Sequence, residues 1–345
     1  MRVFLLWLVL APLAGCATVS YYGQAVKGHL QITLGKRDIE RVLSDPEISP
    51  QVKARLRTVQ KARAFAVDEL GLPDSGSYSD YVDLERDVTL WLISAAPEFS
   101  LTPRSWCYPI GGCFNYRGYF DRTLAEREAG RLVEQGWEVV LVPGLAYSTL
   151  GWFNDPVLST MLSYSDDRLA GVLFHELAHE KLYVQDDSAF NESFATAVEQ
   201  IGIRRFREYR GLPAAPAATQ TFDREPFDEL MLAVRGELQS LYANPPQDKA
   251  ELRAEKRKIY ASLAQRHAVL VDRYSGLTPY GHWFEGEGPN NARLALFSTY
   301  EGAVPEFLNL YARCDESLSC FYEKAAEMAK LPPAERRQRI AALKE

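Results

Sequence analysis

The segment Phe174-His175-Glu176-Leu177-Ala178-His179-Glu180 places two imidazoles four residues apart with a carboxylate between them. On an α-helix that spacing puts both rings on one face, a turn apart, so His175 and His179 can offer nitrogens to a single metal ion. Glu176 projects from the same side. It reaches such a metal less easily than the histidines do, but it can sit beside a water there and take its proton. A short way downstream, Asn191-Glu192-Ser193-Phe194-Ala195 supplies Glu192 as a third protein ligand. Three protein ligands leave a fourth position for water, as in a catalytic zinc site, whereas a structural site is closed by a fourth side chain. The chemistry open to this set is zinc-assisted hydrolysis of a peptide bond: zinc lowers the pKa of its water, and Glu176 carries the proton to the leaving amine.

Such a site needs two helices held side by side. The first carries an apolar face of Ala170, Leu173, Phe174 and Leu177 that anchors it to a core, while the stripe with the histidines also carries Val172 and Tyr183 and lines a cleft. Asp166 or Asp167 is the expected amino-terminal cap, and the helix runs to about Tyr183. Val184 to Ser188 reads as a polar reversal, with Ser188 capping a second helix that carries Glu192. Two antiparallel helices joined by so short a loop can bring all three ligands to one point.

The run from Asn191 to Glu199 resembles the glutamate-ligand helix of gluzincin metallopeptidases, especially the aminopeptidase N-like enzymes with their Asn-Glu-x-Phe-Ala sequence. The resemblance implies Glu192 as the ligand and Glu199 as a carboxylate that orients a histidine ligand. The two motifs stand closer together here than in thermolysin-like or aminopeptidase N-like enzymes. The chain also lacks the Gly-x-Met-Glu-Asn segment with which the latter grip a free amino terminus, so aminopeptidase and endopeptidase readings both stay open. A broader resemblance spans nearly the whole chain. Cys16 in its lipobox, Tyr21 to Leu30, Tyr116-Arg117-Gly118-Tyr119-Phe120-Asp121, Tyr147 to Phe153 and the zinc motifs together look like the bacterial family called putative aminopeptidases.

The resemblance to gluzincins implies two further parts. One is a substrate-binding edge strand ahead of the metal helix, placed at Ala146, Tyr147, Ser148 and Thr149; the same residues read equally well as a connecting strand. The other is a donor for the developing oxyanion, downstream of the glutamate ligand, for which Tyr300 is the first candidate. Tyr300 follows the glycine-containing loop Gly286 to Arg293 and ends a run, beginning at Asn290, that resembles an Asn-Asn-Ala segment of the putative aminopeptidases.

The 345 residues are 47% hydrophobic with a net charge of -7, which suits a folded enzyme and gives no support to a nucleic-acid partner. Residues 1–15 read as a lipoprotein signal peptide: Arg2 is its positive region, Val3 to Leu10 its apolar core, and Leu13-Ala14-Gly15-Cys16 its processing site. The expectation is an acylated Cys16 anchoring the protein to the outer membrane on its periplasmic side, since Ala17 is not the aspartate of inner-membrane retention. Export agrees with the remaining cysteines. Cys107 with Cys113 and Cys314 with Cys320 are two equally spaced pairs, expected to form disulfides.

Apolar periodicity predicts helices over Tyr21 to Leu43, with a turn near Gly35, over Pro50 to Leu70, and over Arg122 to Glu134. β-branched and aromatic runs predict strands at Val88 to Ala95 and Trp137 to Val142, with a further short one at Leu145 to Leu150. Beyond Gly211, helices are expected over Phe227 to Tyr242, Asp248 to Tyr274 and after Pro305. The predicted fold is therefore α+β: a gluzincin-like core of a small mixed sheet and metal helices within residues 16–210, and a helical region over residues 211–345. A non-catalytic envelope lipoprotein with a structural metal is the competing class, and zinc content with turnover separates the two.

Overall fold

The computed structural model describes residues 15–108, 112–149, 153–213, 224–273, 284 and 288–344. Helix α1 (Gly15–Leu34) turns at Gly35 into strand β1 (Arg37–Asp38) and helix α2 (Ile39–Ser44), and α3 (Pro50–Asp68) follows. Next come β2 (Asp80–Val82), β3 (Leu90–Pro97), the paired strands β4 (Trp106–Tyr108) and β5 (Gly112–Phe114), and β6 (Arg117–Tyr119). Helix α4 (Arg122–Glu134) precedes β7 (Trp137–Gly144) and β8 (Val157–Leu158), and a 3-10 turn leads into α5 (Asp166–Lys181) and α6 (Ser188–Tyr209). The remainder is helical: α7 (Arg224–Ala243), α8 (Lys249–Arg273), α9 (Asn291–Glu301), α10 (Val304–Arg313), α11 (Leu318–Ala329) and α12 (Pro333–Ala341). The chain is thus a mixed α+β protein, mostly helical, with small sheets.

One sheet has the order β6-β3-β7 and is antiparallel throughout, Leu92 of β3 facing Gly118 on one side and Val142 on the other. Its two-residue period divides its neighbours. Ile93 and Ala95, with Val139 and Leu141, pack on Ala125 and Leu132 of α4. Ala96 and Val140 point the other way, on to Ala292 and Ala295 of α9. A second sheet is mixed: β2 pairs antiparallel with β1 and parallel with β8.

The largest core gathers α2, α3, α5, α6 and the carboxy-terminal helices α10 to α12. Phe174 of α5 meets Phe65 and Phe206, and Phe194 of α6 stacks on Phe321 of α11 at 5.7 Å. Helices α7 and α8 bury their own apolar seam around Phe227, Met231 and Leu263.

Several local expectations are corrected. Ala146 to Thr149 do not form a strand: β7 ends at Gly144, and the residues beyond it are a loop. Its polar groups turn inward to one carboxylate, Thr149 N–H donating to Asp155 Oδ2 at 2.7 Å while the Thr149 and Ser148 hydroxyls donate to the same side chain. Ser165, not Asp166 or Asp167, caps α5, accepting from Arg168 N–H. The two aspartates instead pair with Arg55 and Arg207. The cap of α6 is Asp187, one residue ahead of the expected Ser188. The Asn290 to Tyr300 run is helical from Asn291 onward, with Asn290 as its cap.

Candidate metal centre

Helices α5 and α6 approach closely because glycines face across the contact. A Cβ on Gly171 would lie 2.6 Å from Ile203 Cδ1, and one on Gly202 would lie 2.5 Å from the Phe174 ring. That approach brings the polar face of α5 against the start of α6. His175 Nε2 lies 3.2 Å from Glu192 Oε2 and 3.2 Å from His179 Nε2, and His179 Nε2 lies 3.6 Å from the same carboxylate oxygen. In a tetrahedral zinc site with bonds of about 2.0–2.1 Å, neighbouring ligand atoms stand roughly 3.3 Å apart. Three different nitrogen and oxygen donors at those separations fit one small divalent cation, and among the described residues His175, His179 and Glu192 are a buried group able to hold a metal.

The charges agree with this. Burial works to lower the His175 pKa, but the carboxylates of Glu192 and Glu199 outweigh it and push the imidazole up to about 10. Burial works to raise Glu192, and the positive field of His179 and His175 overrides it, bringing the carboxyl down to about 2. The carboxylates around His175 thus hold positive charge at the centre of the cluster, the place a bound cation would take.

Glu199 stands where an orienting acid is needed: its Oε2 lies 3.2 Å from His175 Nδ1, the ring nitrogen turned away from the ligand cluster. Its other oxygen pairs with Arg168, a residue the sequence alone left without a role. The chain Arg168–Glu199–His175 is an arrangement that would hold the ring in place and raise its basicity were it to bind a metal. Glu176 is half-buried beside the cluster. Burial is the main reason the Asp155 carboxyl rises to about 6, and the neighbouring Glu176 charge adds to it. Burial and then Glu176 likewise raise the Tyr78 phenol. Asp155 is held by Ser148 and Thr149, so the loop expected as a substrate strand does border the Glu176 side of the site.

Two phenols complete the surroundings. Tyr116 Oη lies 3.4 Å from Glu192 Oε1, and the Tyr183 ring meets that of His179 edge-on at 6.4 Å. Tyr116 immediately precedes β6, and no periodicity announces that it reaches Glu192; the pairing of β6 with β3 and the bonds of Cys113 to Asp186 and Ser188 hold its segment there. Tyr300 lies on the last turn of α9, whose side chains there are outside the described residues. That end of the helix adjoins the site, since Ala303 N–H donates to Ser193 Oγ, next to Glu192. The structure also bonds Cys107 to Cys113 and Cys314 to Cys320. The first bridge spans β4 and β5, and their hairpin sits on the reversal between the metal helices: Cys113 N–H donates to Asp186 Oδ1 at 2.8 Å, and Ser188 Oγ donates to Cys113 O. Gly112, at φ 83°, is required there, because a Cβ would lie 2.5 Å from Asp186 Oδ1. The side chain of Cys16 is outside the described residues.

Neither the curated proteins nor the solved structures yield a match to this chain. A family model does: the one described as putative aminopeptidase matches residues 20–340, which takes in every ligand of the cluster and both cysteine pairs. With that match over nearly its whole length, the chain belongs to the putative aminopeptidase family.

Proposed function

We propose that the protein is a zinc-dependent peptidase of aminopeptidase type, built on a gluzincin-like arrangement and held as a lipoprotein on the periplasmic side of the outer membrane. The observation that carries the catalytic part is the convergence of His175 Nε2, His179 Nε2 and Glu192 Oε2 with Glu176 on the adjoining helix position. These residues would hold zinc, which supplies Lewis-acid polarisation of a water and of the scissile carbonyl.

The chain's own groups do the rest. Glu176 accepts the proton of the attacking water and returns it to the leaving amine. Arg168 and Glu199 keep the His175 ring in one orientation. Tyr116 is the donor to the developing oxyanion favoured by geometry, and Tyr300 the one favoured by sequence; phenylalanine at each separates them. The Ala146 to Thr149 loop, tied to Asp155, forms a wall of the substrate cleft on the Glu176 side.

The test is digestion of a mixed peptide library, half with free and half with acetylated amino termini, by the purified protein with and without a chelator. Chelator-sensitive cleavage confined to free amino termini is expected. Internal cleavage of the acetylated half would make the enzyme an endopeptidase, and no cleavage in any arm would contradict the peptidase reading.

A further inference from the structure

Helix α1 is apolar on two opposite faces, and only one of them is packed. Tyr21, Gln24, Gly28 and Ile32 turn inward. Tyr21 Oη donates to Tyr108 Oη, Gln24 Oε1 accepts from Phe120 N–H at 2.7 Å, Gly28 lies against the Phe120 ring, and Ile32 is buried. At about 100° per residue, Val19, Tyr22, Val26, Leu30 and Leu34 fall along the other side of the helix. They are 70, 42, 57, 47 and 82% exposed, and they make up half of the exposed large hydrophobic side chains among the described residues. Large apolar side chains gathered along one exposed side of a helix form a patch that marks an interaction surface, so this stripe calls for a partner.

Two observations say what the partner is. On the lipoprotein reading residues 1–15 are removed and an acylated Cys16 begins the chain, three residues before Val19, where the stripe begins. The charge pattern agrees: residues 16–37, the start of the processed chain, contain Lys27, Lys36 and Arg37 and no aspartate or glutamate, in a chain whose net charge is -7. Lys27 is exposed beside Val26. None of the described helices is long and apolar enough to cross a membrane, which fits a helix lying along the interface.

We propose that the exposed face of α1 docks on a lipid bilayer surface, its apolar stripe in the headgroup boundary and Lys27 against anionic phosphates. The docking rests on the membrane-anchored reading above and adds an orientation to it. With α1 laid flat, the body of the enzyme is fixed against the membrane by β6 and Phe120 and does not swing on a tether.

The test uses the full chain bearing an environment-sensitive dye on Val26→Cys, or on Val269→Cys in α8 as a control, mixed with vesicles of phosphatidylethanolamine and phosphatidylglycerol. Both positions are exposed, so neither change disturbs the core. Quenching by acrylamide should fall roughly threefold or more at position 26 on vesicle binding and stay unchanged at position 269. Protein that floats with the vesicles while position 26 stays fully quenchable would overturn the docking and leave the anchor intact. Protein that does not float would overturn both. Concentration-dependent shielding of position 26 without vesicles would assign the stripe to a second copy of the chain and overturn the proposal.

Discussion

His175 works at two distances: one ring nitrogen joins His179 and Glu192 and the other meets Glu199, so a single rotamer would serve both a bound metal and its support. Asp155 has a different character. Its carboxyl is buried and raised to about 6, chiefly by desolvation, so the folded chain keeps that proton to higher pH than the unfolded chain does. The stability it contributes is fully present below about 4 and is lost as pH rises through about 6, a difference of roughly 2–3 kcal/mol. We expect the stability difference between the wild type and Asp155→Asn, from chemical denaturation, to change by that amount between pH 4 and pH 7. A constant difference would mean that the buried carboxyl is not the source. Helical spacing placed His175, Glu176 and His179 on one face, and the resemblance to the gluzincin glutamate-ligand helix pointed to Glu192 and Glu199; the structure brings His175, His179 and Glu192 together and sets Glu199 against His175. Arg168, Tyr116 and Asp155 were not legible in the sequence, because each reaches the site through contacts distant in the chain.

The elements around the site are held by short-range devices that sequence reports unevenly. The boundaries of α3, α4 and β7 follow from periodicity and β-branched runs, whereas the Ala146 to Thr149 strand failed because its Ser and Thr groups satisfy a local carboxylate before any ladder partner. The cysteine spacing anticipated both bridges but not what they touch. Cys107–Cys113 ties a hairpin to Asp186 and Ser188 between the ligand helices, while Cys314–Cys320 lies between α10 and α11 in the carboxy-terminal core. Each closes a loop of similar length, so the chain-entropy contribution is about 2 kcal/mol for both. Double replacement of Cys107 and Cys113 by serine should therefore lower peptide turnover more than the same change at Cys314 and Cys320, with metal retained in both. Equal turnover in the two variants would remove the hairpin from the cleft.

At the scale of the molecule, two buried polar residues join parts far apart in sequence. Arg336 of α12 bonds Asp187, the cap of α6, and the carbonyls of Ala329 and Leu331. The fully buried Asn291 accepts from the Tyr242 and Tyr260 hydroxyls and donates to the Pro97 and Glu98 carbonyls, clasping α7 and α8 to the end of β3. The Asn-Asn-Ala run stood out in the sequence for a catalytic reason, and the structure uses its second asparagine as a joint. Asn291→Ala should cost about 3–5 kcal/mol in denaturant midpoint measurements, since it strands several buried partners at once. The central claim, a hydrolytic zinc site, is tested most directly by metal analysis together with peptide turnover on the wild type, His175→Ala, His179→Ala, Glu192→Ala and Glu176→Gln. We expect near-stoichiometric zinc in the wild type and in Glu176→Gln, loss of most of it in the three ligand variants, and turnover in the wild type alone. Zinc retained at wild-type level in all three ligand variants, or full turnover by Glu176→Gln, would contradict it.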